Sequence, residues 1–76
     1  MRRADLIASL EQAEQHSRQA AERIQQQREL IARLEAQGRD TTMAKSVLDL
    51  FEQSYALHEV ILMRLRQQLE RDDSTG

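Results

Sequence analysis

The 76-residue sequence has no cysteine, no proline and no tryptophan, and only two glycines. The absence of cysteine excludes disulfides and thiolate metal sites, which support many domains of this size. A single core is marginal at this length, so oligomerisation is the support that remains. A chain without cysteine also fits a reducing compartment, and we expect a cytoplasmic location.

Long apolar runs are lacking as well. The opening segment MRRADLIASL is interrupted by Ser9 and followed by Glu11, so it is too short and too polar for a signal peptide. No other segment is apolar over the length that crosses a bilayer. The net charge of −2 argues against non-specific binding to nucleic acid or to an anionic membrane. We therefore expect a soluble protein with no membrane partner.

Catalytic motifs are missing too. The chain has no cysteine nucleophile, no GxSxG, no phosphate-binding glycine loop and no carboxylate pair set in an evident pocket. His16 and His58 are the only imidazoles, and neither has further ligands at metal-binding spacing. The sequence therefore predicts a protein that is not an enzyme and that holds no metal or cofactor.

The residues in abundance are Ala, Leu, Glu, Gln and Arg, which favour an all-α fold. Gly38 stands near the middle and is typical of a helix end, while Asp40, Thr41 or Thr42 can cap a second helix. We predict one domain over residues 1–76: helix 1 about 4–37, a turn at 38–40, helix 2 about 41–71 and a polar tail at 72–76. The short turn predicts an antiparallel helical hairpin.

A three-four repeat of small and apolar residues runs along each half, as in a coiled coil. In helix 1 the repeat comprises Leu6, Leu10, Ala13, Ser17, Ala20, Ile24, Gln27, Ile31 and Leu34. In helix 2 it comprises Ala44, Val47, Phe51, Ser54, His58, Ile61 and Leu65. Folding the chain back at the turn puts His58 opposite Ala20, brings Glu14 beside Arg66, and leaves His16 about one turn away from His58.

A second apolar set flanks this repeat and would be left in water by an isolated hairpin. It comprises Ile7, Ala21, Leu48, Tyr55, Leu62 and Leu69. Leu50 and Leu57 add apolar surface on the opposite flank. We predict that the second set forms a homodimer interface, so that two hairpins make a four-helix bundle. A trimer of hairpins and packing against a different protein are the alternatives.

Ala56, Val60 and Met63 lie outside both sets. They are either scattered surface residues or a docking surface for another protein, a use that suits the flexible side chain of methionine. The sequence thus predicts a homodimeric interaction module, acting as an adaptor, a regulator or an inhibitor. A structural subunit of a larger assembly is an alternative.

A nucleic-acid-binding regulator of the Rop type is another alternative, because the architecture resembles that four-helix bundle. Arg18, Arg28 and Arg33 would carry the binding. Their spacing is a multiple of five, which winds them around the helix, and glutamates lie between them. The pattern therefore favours a solvated, salt-bridged surface over a nucleic-acid stripe.

The middle segment RELIARLEAQGRDTTMAKSVLDLFEQSYALH resembles small uncharacterised proteobacterial helical-hairpin proteins. The shared elements fall on Arg28, Ile31, Leu34, Gly38, Asp40, Thr41, Leu48, Phe51, Glu52, Ala56, Leu57 and His58. The upstream RIQQQREL departs from the more basic, His-containing pattern of those proteins. The resemblance implies a bacterial hairpin protein and no particular activity.

Overall fold

The structure, a computed structural model, describes residues 2–75, and for 73–75 the backbone alone. It consists of two antiparallel helices, α1 over Arg3–Ala36 and α2 over Thr42–Thr75, in a rod of 59 × 14 × 14 Å. The predicted all-α hairpin is confirmed. Helix α2 extends past the predicted end at residue 71, because no proline or glycine stops it before Gly76, which lies outside the described residues.

The turn between the helices is capped on both sides. Gly38 takes φ +67°, its amide donates to the Glu35 carbonyl, and the Arg39 amide donates to the Leu34 carbonyl. This pair of bonds is the Schellman arrangement that closes a helix at a left-handed residue. On the far side, Asp40 Oδ1 accepts hydrogen bonds from the amide and the hydroxyl of Thr42. These bonds hold the pKa of the Asp40 carboxyl below its ordinary value.

Helix α1 packs as the three-four repeat predicts. Its buried residues all belong to that repeat, and they are Leu6, Ala13, Ser17, Ala20, Ile24 and Ile31. The remaining members, Leu10, Gln27 and Leu34, are half-buried. Small side chains dominate the middle of this face, so α2 approaches closely there and its larger side chains fill the space.

Helix α2 packs on α1 along a seam that differs from the predicted one at alternate positions. Leu62 is 4% exposed, whereas the predicted seam residue Ile61 is 41% exposed and Ser54 is also exposed. The observed seam of α2 comprises Ala44, Leu48, Phe51, Tyr55, His58, Leu62, Leu65 and Leu69. It shares every second member with the predicted repeat. Near the turn Val47 and Leu48 are both half-buried, but further along Tyr55 and Leu62 are covered in place of Ser54 and Ile61, which places larger apolar side chains against α1.

Polar contacts between the helices fix their register. Gln27 Nε2 donates to the Ala44 carbonyl at 2.9 Å near the turn. The buried hydroxyl of Ser17 donates to the Glu59 carboxylate midway. Arg3 reaches Asp72 at 3.5 Å near the open end. These contacts, spread over the whole rod, tie the two helices together along their length.

Two of the predicted cross-helix neighbours can be judged from the distances. The predicted approach of Glu14 and Arg66 is confirmed, with 4.0 Å between Oε2 and Nη2. His16 and His58, which are predicted to differ by about one turn, have ring centroids 5.8 Å apart, a distance close to the rise of roughly 5.4 Å per helical turn.

Candidate interaction surface

The phase of α2 reassigns the residues predicted to form a dimer interface. Leu62 is buried within one hairpin, and Leu48, Tyr55 and Leu69 are half-buried along the same seam. Leu62 therefore belongs to the seam of one hairpin, and the other three side chains share its face and are partly covered by α1. Of the two predicted contributors from α1, Ile7 is 37% exposed and Ala21 is also exposed.

A different row of side chains, apolar except for Ser54 and exposed except for the half-buried Val47, lies on another face of α2. We call it the apolar stripe: Met43, Val47, Leu50, Ser54, Leu57 and Ile61. Its members recur every three or four residues, so they share one face of the helix. Met43 is 77% exposed, Leu50 62% and Leu57 61%. This is a large apolar surface for so small a protein, and such surfaces mark interaction sites.

The opposite side of α2 carries the charges. We call it the charged edge: Lys45, Asp49, Glu52 and Glu59. Glu59 accepts the Ser17 hydroxyl bond and lines a groove with Glu14, Arg18 and Arg66 of the same side. From residue 43 to residue 61, every charged side chain of α2 belongs to this edge. The apolar stripe and the positions beside it are free of charge over the same length.

A shallow groove lies between the helices on the stripe side. His16, Gln19 and Arg23 of α1 and Phe51, Ser54 and His58 of α2 line it. Its side chains are hydrogen-bonding and aromatic, and within residues 2–72 no group of three or more His, Asp or Glu could hold a metal ion. The groove therefore adds a polar border to the apolar stripe.

The predicted docking residues Ala56, Val60 and Met63 are all exposed and adjoin one another along α2. We call them the outer patch. Val60 follows Leu57 by three residues, so the patch borders the apolar stripe. Met63 lies four residues after Glu59, so its other border is the charged edge. The three residues therefore lie together on an exposed side of α2, between the apolar stripe and the charged edge.

The candidate arginines do not form one basic stripe. Arg18 lines the groove that contains Glu59 and Glu14, and Arg28 lines another with Glu52. Arg23 lies on the opposite side, in the groove with His16. Arg33 is in the last turn of α1. Arg18 and Arg28 thus stand beside carboxylates, which weakens the attraction of this surface for a phosphate backbone.

Comparisons with known proteins found no matching family model, no matching curated protein and no matching solved structure. The resemblance to proteobacterial hairpin proteins therefore stays an expectation. Over the part of the chain that the structure describes, no helix combines the length and the apolar character needed to cross a membrane.

Sequence reasoning overlooked the continuity of the apolar stripe. It noted Leu50 and Leu57 on a flank, but it placed Val47, Ser54 and Ile61 in the seam and assigned nothing to Met43. The signal was present, because Met43, Leu50 and Leu57 recur at intervals of seven. The absence of charge on one side of the helix was the second signal.

Proposed function

We propose that this protein is a non-enzymatic protein–protein interaction module that works as a homodimer of hairpins. The observation that carries the proposal is the charge-free apolar stripe on α2, which a single hairpin leaves in water. Interface centres are depleted in charge in the same way. A cytoplasmic, bacterial setting belongs to the proposal, on the grounds of the missing cysteine and the sequence resemblance.

The shape of the chain supports self-association. A compact monomer of 8.9 kDa is expected to expose about 4,800 Å², but the hairpin exposes 5854 Å². Among the described side chains of α2, only Leu62 is buried. A two-helix rod has one layer of contact, so its larger side chains remain half-covered until another chain adds a second layer.

The outer patch gives the dimer a surface for a further protein. Ala56, Val60 and Met63 are exposed beside the stripe, and they stay accessible when the stripe itself is covered. Methionine adapts to partners of different shape, which suits an adaptor, a regulator or an inhibitor. In this proposal the stripe serves self-association and the outer patch serves the partner.

The experiment compares two glutamate substitutions on α2 with the unchanged protein. Sedimentation equilibrium should give a dimer mass for the unchanged chain at micromolar concentration. Leu57→Glu, in the stripe, should give a monomer, and Met63→Glu, in the outer patch, should stay dimeric. Circular dichroism checks that both variants remain helical. A monomeric unchanged chain, or a dimer that survives Leu57→Glu, would contradict the proposal.

A further inference from the structure

The part of the apolar stripe from Val47 to Ile61 is nearly symmetric about Ser54. Leu50 precedes Ser54 by four residues and Leu57 follows it by three, so one turn away on each side stands a leucine. Val47 and Ile61 stand seven residues away on each side, and both are β-branched. A row of this kind matches itself when it is reversed, which is what a two-fold interface requires.

From this symmetry we propose that the second copy docks on the stripe with its own α2 antiparallel, the two-fold axis passing beside Ser54. The inference rests on the proposed homodimer and specifies its geometry. Leu50 then packs against the partner's Leu57, and Val47 packs against the partner's Ile61. The two α2 helices form the centre of the four-helix assembly, and the two α1 helices lie outside.

The residue at the crossing point suits close approach. Ser54 is the smallest member of the stripe and is exposed. The distance between two packed helices depends on the side chains at their contact, so a pair of serines lets the axes come near the low end of the usual 8–10 Å range. Leu50 and Leu57 then interdigitate with the same residues of the second copy. The second copy thereby covers side chains that one hairpin leaves exposed.

Charge distinguishes the antiparallel arrangement from a parallel one. Arg64 continues the stripe at its C-terminal end, and the exposed Asp40 stands before its N-terminal end. In a parallel dimer each Arg64 would face the same residue of the other chain, a like-charge contact. In the antiparallel dimer Arg64 lies opposite the partner's Ala44 and about 6 Å along the axis from the partner's Asp40, at 1.5 Å per residue, so the like-charge contact is absent.

The elongated hairpin has surface available for a second copy. The hairpin exposes about 1,000 Å² more than a compact monomer of its mass, and each partner in a standard interface contributes roughly 800 Å². The groove of His16, Arg23 and Phe51 lies beside the stripe and forms a polar border to this contact. An apolar centre with a polar border is the usual anatomy of a specific interface.

The natural chain has no cysteine, so single cysteines test the geometry directly. The test compares Ser54→Cys with Ser46→Cys, the same chemical change at another exposed position of α2. Under mild oxidation with oxidised glutathione, Ser54→Cys should form a disulfide-linked dimer. The Ser46→Cys thiols would stand about 24 Å apart along the axis, at 1.5 Å per residue, and cannot meet.

The expected rates differ by about tenfold or more, because a thiol held at the axis meets its partner at a high effective concentration. A mixture of Val47→Cys and Ile61→Cys should yield the mixed dimer in preference to either self-linked dimer. Self-linked dimers of Val47→Cys and of Ile61→Cys in preference to the mixed dimer would indicate a parallel arrangement and overturn the geometry.

Mass measurements on the reduced variants separate the two proposals. If Ser54→Cys is dimeric when reduced but forms no disulfide when oxidised, the antiparallel geometry is overturned and the homodimer stands. If both the reduced variants and the unchanged chain are monomeric, the proposed function fails together with the geometry.

Discussion

The two sides of α2 differ in what they do for the hairpin. The charged edge contacts α1: Glu59 accepts the Ser17 bond, and Arg66 lies 4.0 Å from Glu14. The apolar stripe on the other side leaves Met43, Leu50 and Leu57 more than half exposed. One side of α2 thus carries charges that reach α1 at Glu59, and the other side carries none between residues 43 and 61. The difference indicates that the stripe, and not the edge, is a surface for another chain.

The largest effect is expected for a substitution in the seam of α2, which lies between the apolar stripe and the charged edge. Leu62→Ala removes a side chain that is 4% exposed, and we expect a loss of about 2–5 kcal/mol in the free energy of unfolding. Ile61→Ala changes the adjacent position, which belongs to the stripe, and should cost less. Urea unfolding followed by circular dichroism measures both. A larger loss for Ile61→Ala would show that α2 packs in the other phase.

The next effect sets the stripe directly against the edge. Leu50→Glu places a charge in the proposed interface, where its burial without a partner is costly, so the dimer dissociation constant should rise by at least about tenfold. Glu52→Gln removes a charge from the edge and should change that constant by less. Sedimentation equilibrium over a concentration series gives both constants. Equal effects would remove the distinction between the two sides.

A smaller effect tests the strongest tie of the charged edge. Ser17→Ala removes a buried hydroxyl that donates to Glu59, and the expected loss in unfolding free energy is about 1 kcal/mol. Glu59→Gln keeps an oxygen acceptor and should cost less than the loss of the donor. Thermal unfolding of the two variants provides the measurement. An unchanged stability for Ser17→Ala would show that the edge does not hold the hairpin.

The smallest effect on stability is expected at Asp40, which caps the N-terminus of α2. Both the apolar stripe and the charged edge begin just after this cap. The folded-state pKa of Asp40 is lowered by its bonds to Thr42, so the unfolded chain binds a proton more readily than the folded one. The stability that Asp40 contributes is therefore present above the ordinary aspartate pKa, about 3.9, and is lost as the pH falls through the lowered value.

Asp40→Asn isolates this contribution, because asparagine also caps helices but does not titrate in this range. The melting temperature of the natural chain should fall more steeply between pH 5 and pH 2 than that of the variant. If the melting temperatures of the two proteins fall equally between pH 5 and pH 2, the capping bonds do not depend on the charge of Asp40.

Most of the fold could be predicted from the sequence, because its signals are local. The turn follows from Gly38 and Asp40, which favour a left-handed residue and a cap whatever the rest of the chain does. The seam of α1 follows from a single unbroken repeat that contains Ala13, Ala20 and Ile24. No competing repeat exists on that helix, so its buried face could be assigned residue by residue.

The candidate surface could not be predicted in the same way, since α2 contains two repeats that overlap. Both pass through Phe51 and His58, but one continues through Ser54 and Ile61, and the other through Tyr55 and Leu62. Periodicity alone cannot choose between them, because each fits one face of a helix. The first choice turned the seam into a dimer interface and concealed the stripe.

The sequence by itself determined that this chain is a hairpin of two long helices, because helix propensity and capping act within a few residues. Only the tertiary structure decided which side of α2 meets α1. That choice depends on how much apolar area each phase buries against the other helix, and on which contacts, such as the Ser17–Glu59 bond, the register allows. Because α2 turns Leu62 toward α1, it leaves Leu57 exposed to solvent. The packing of the two helices within one chain therefore decides which surface is available to another chain.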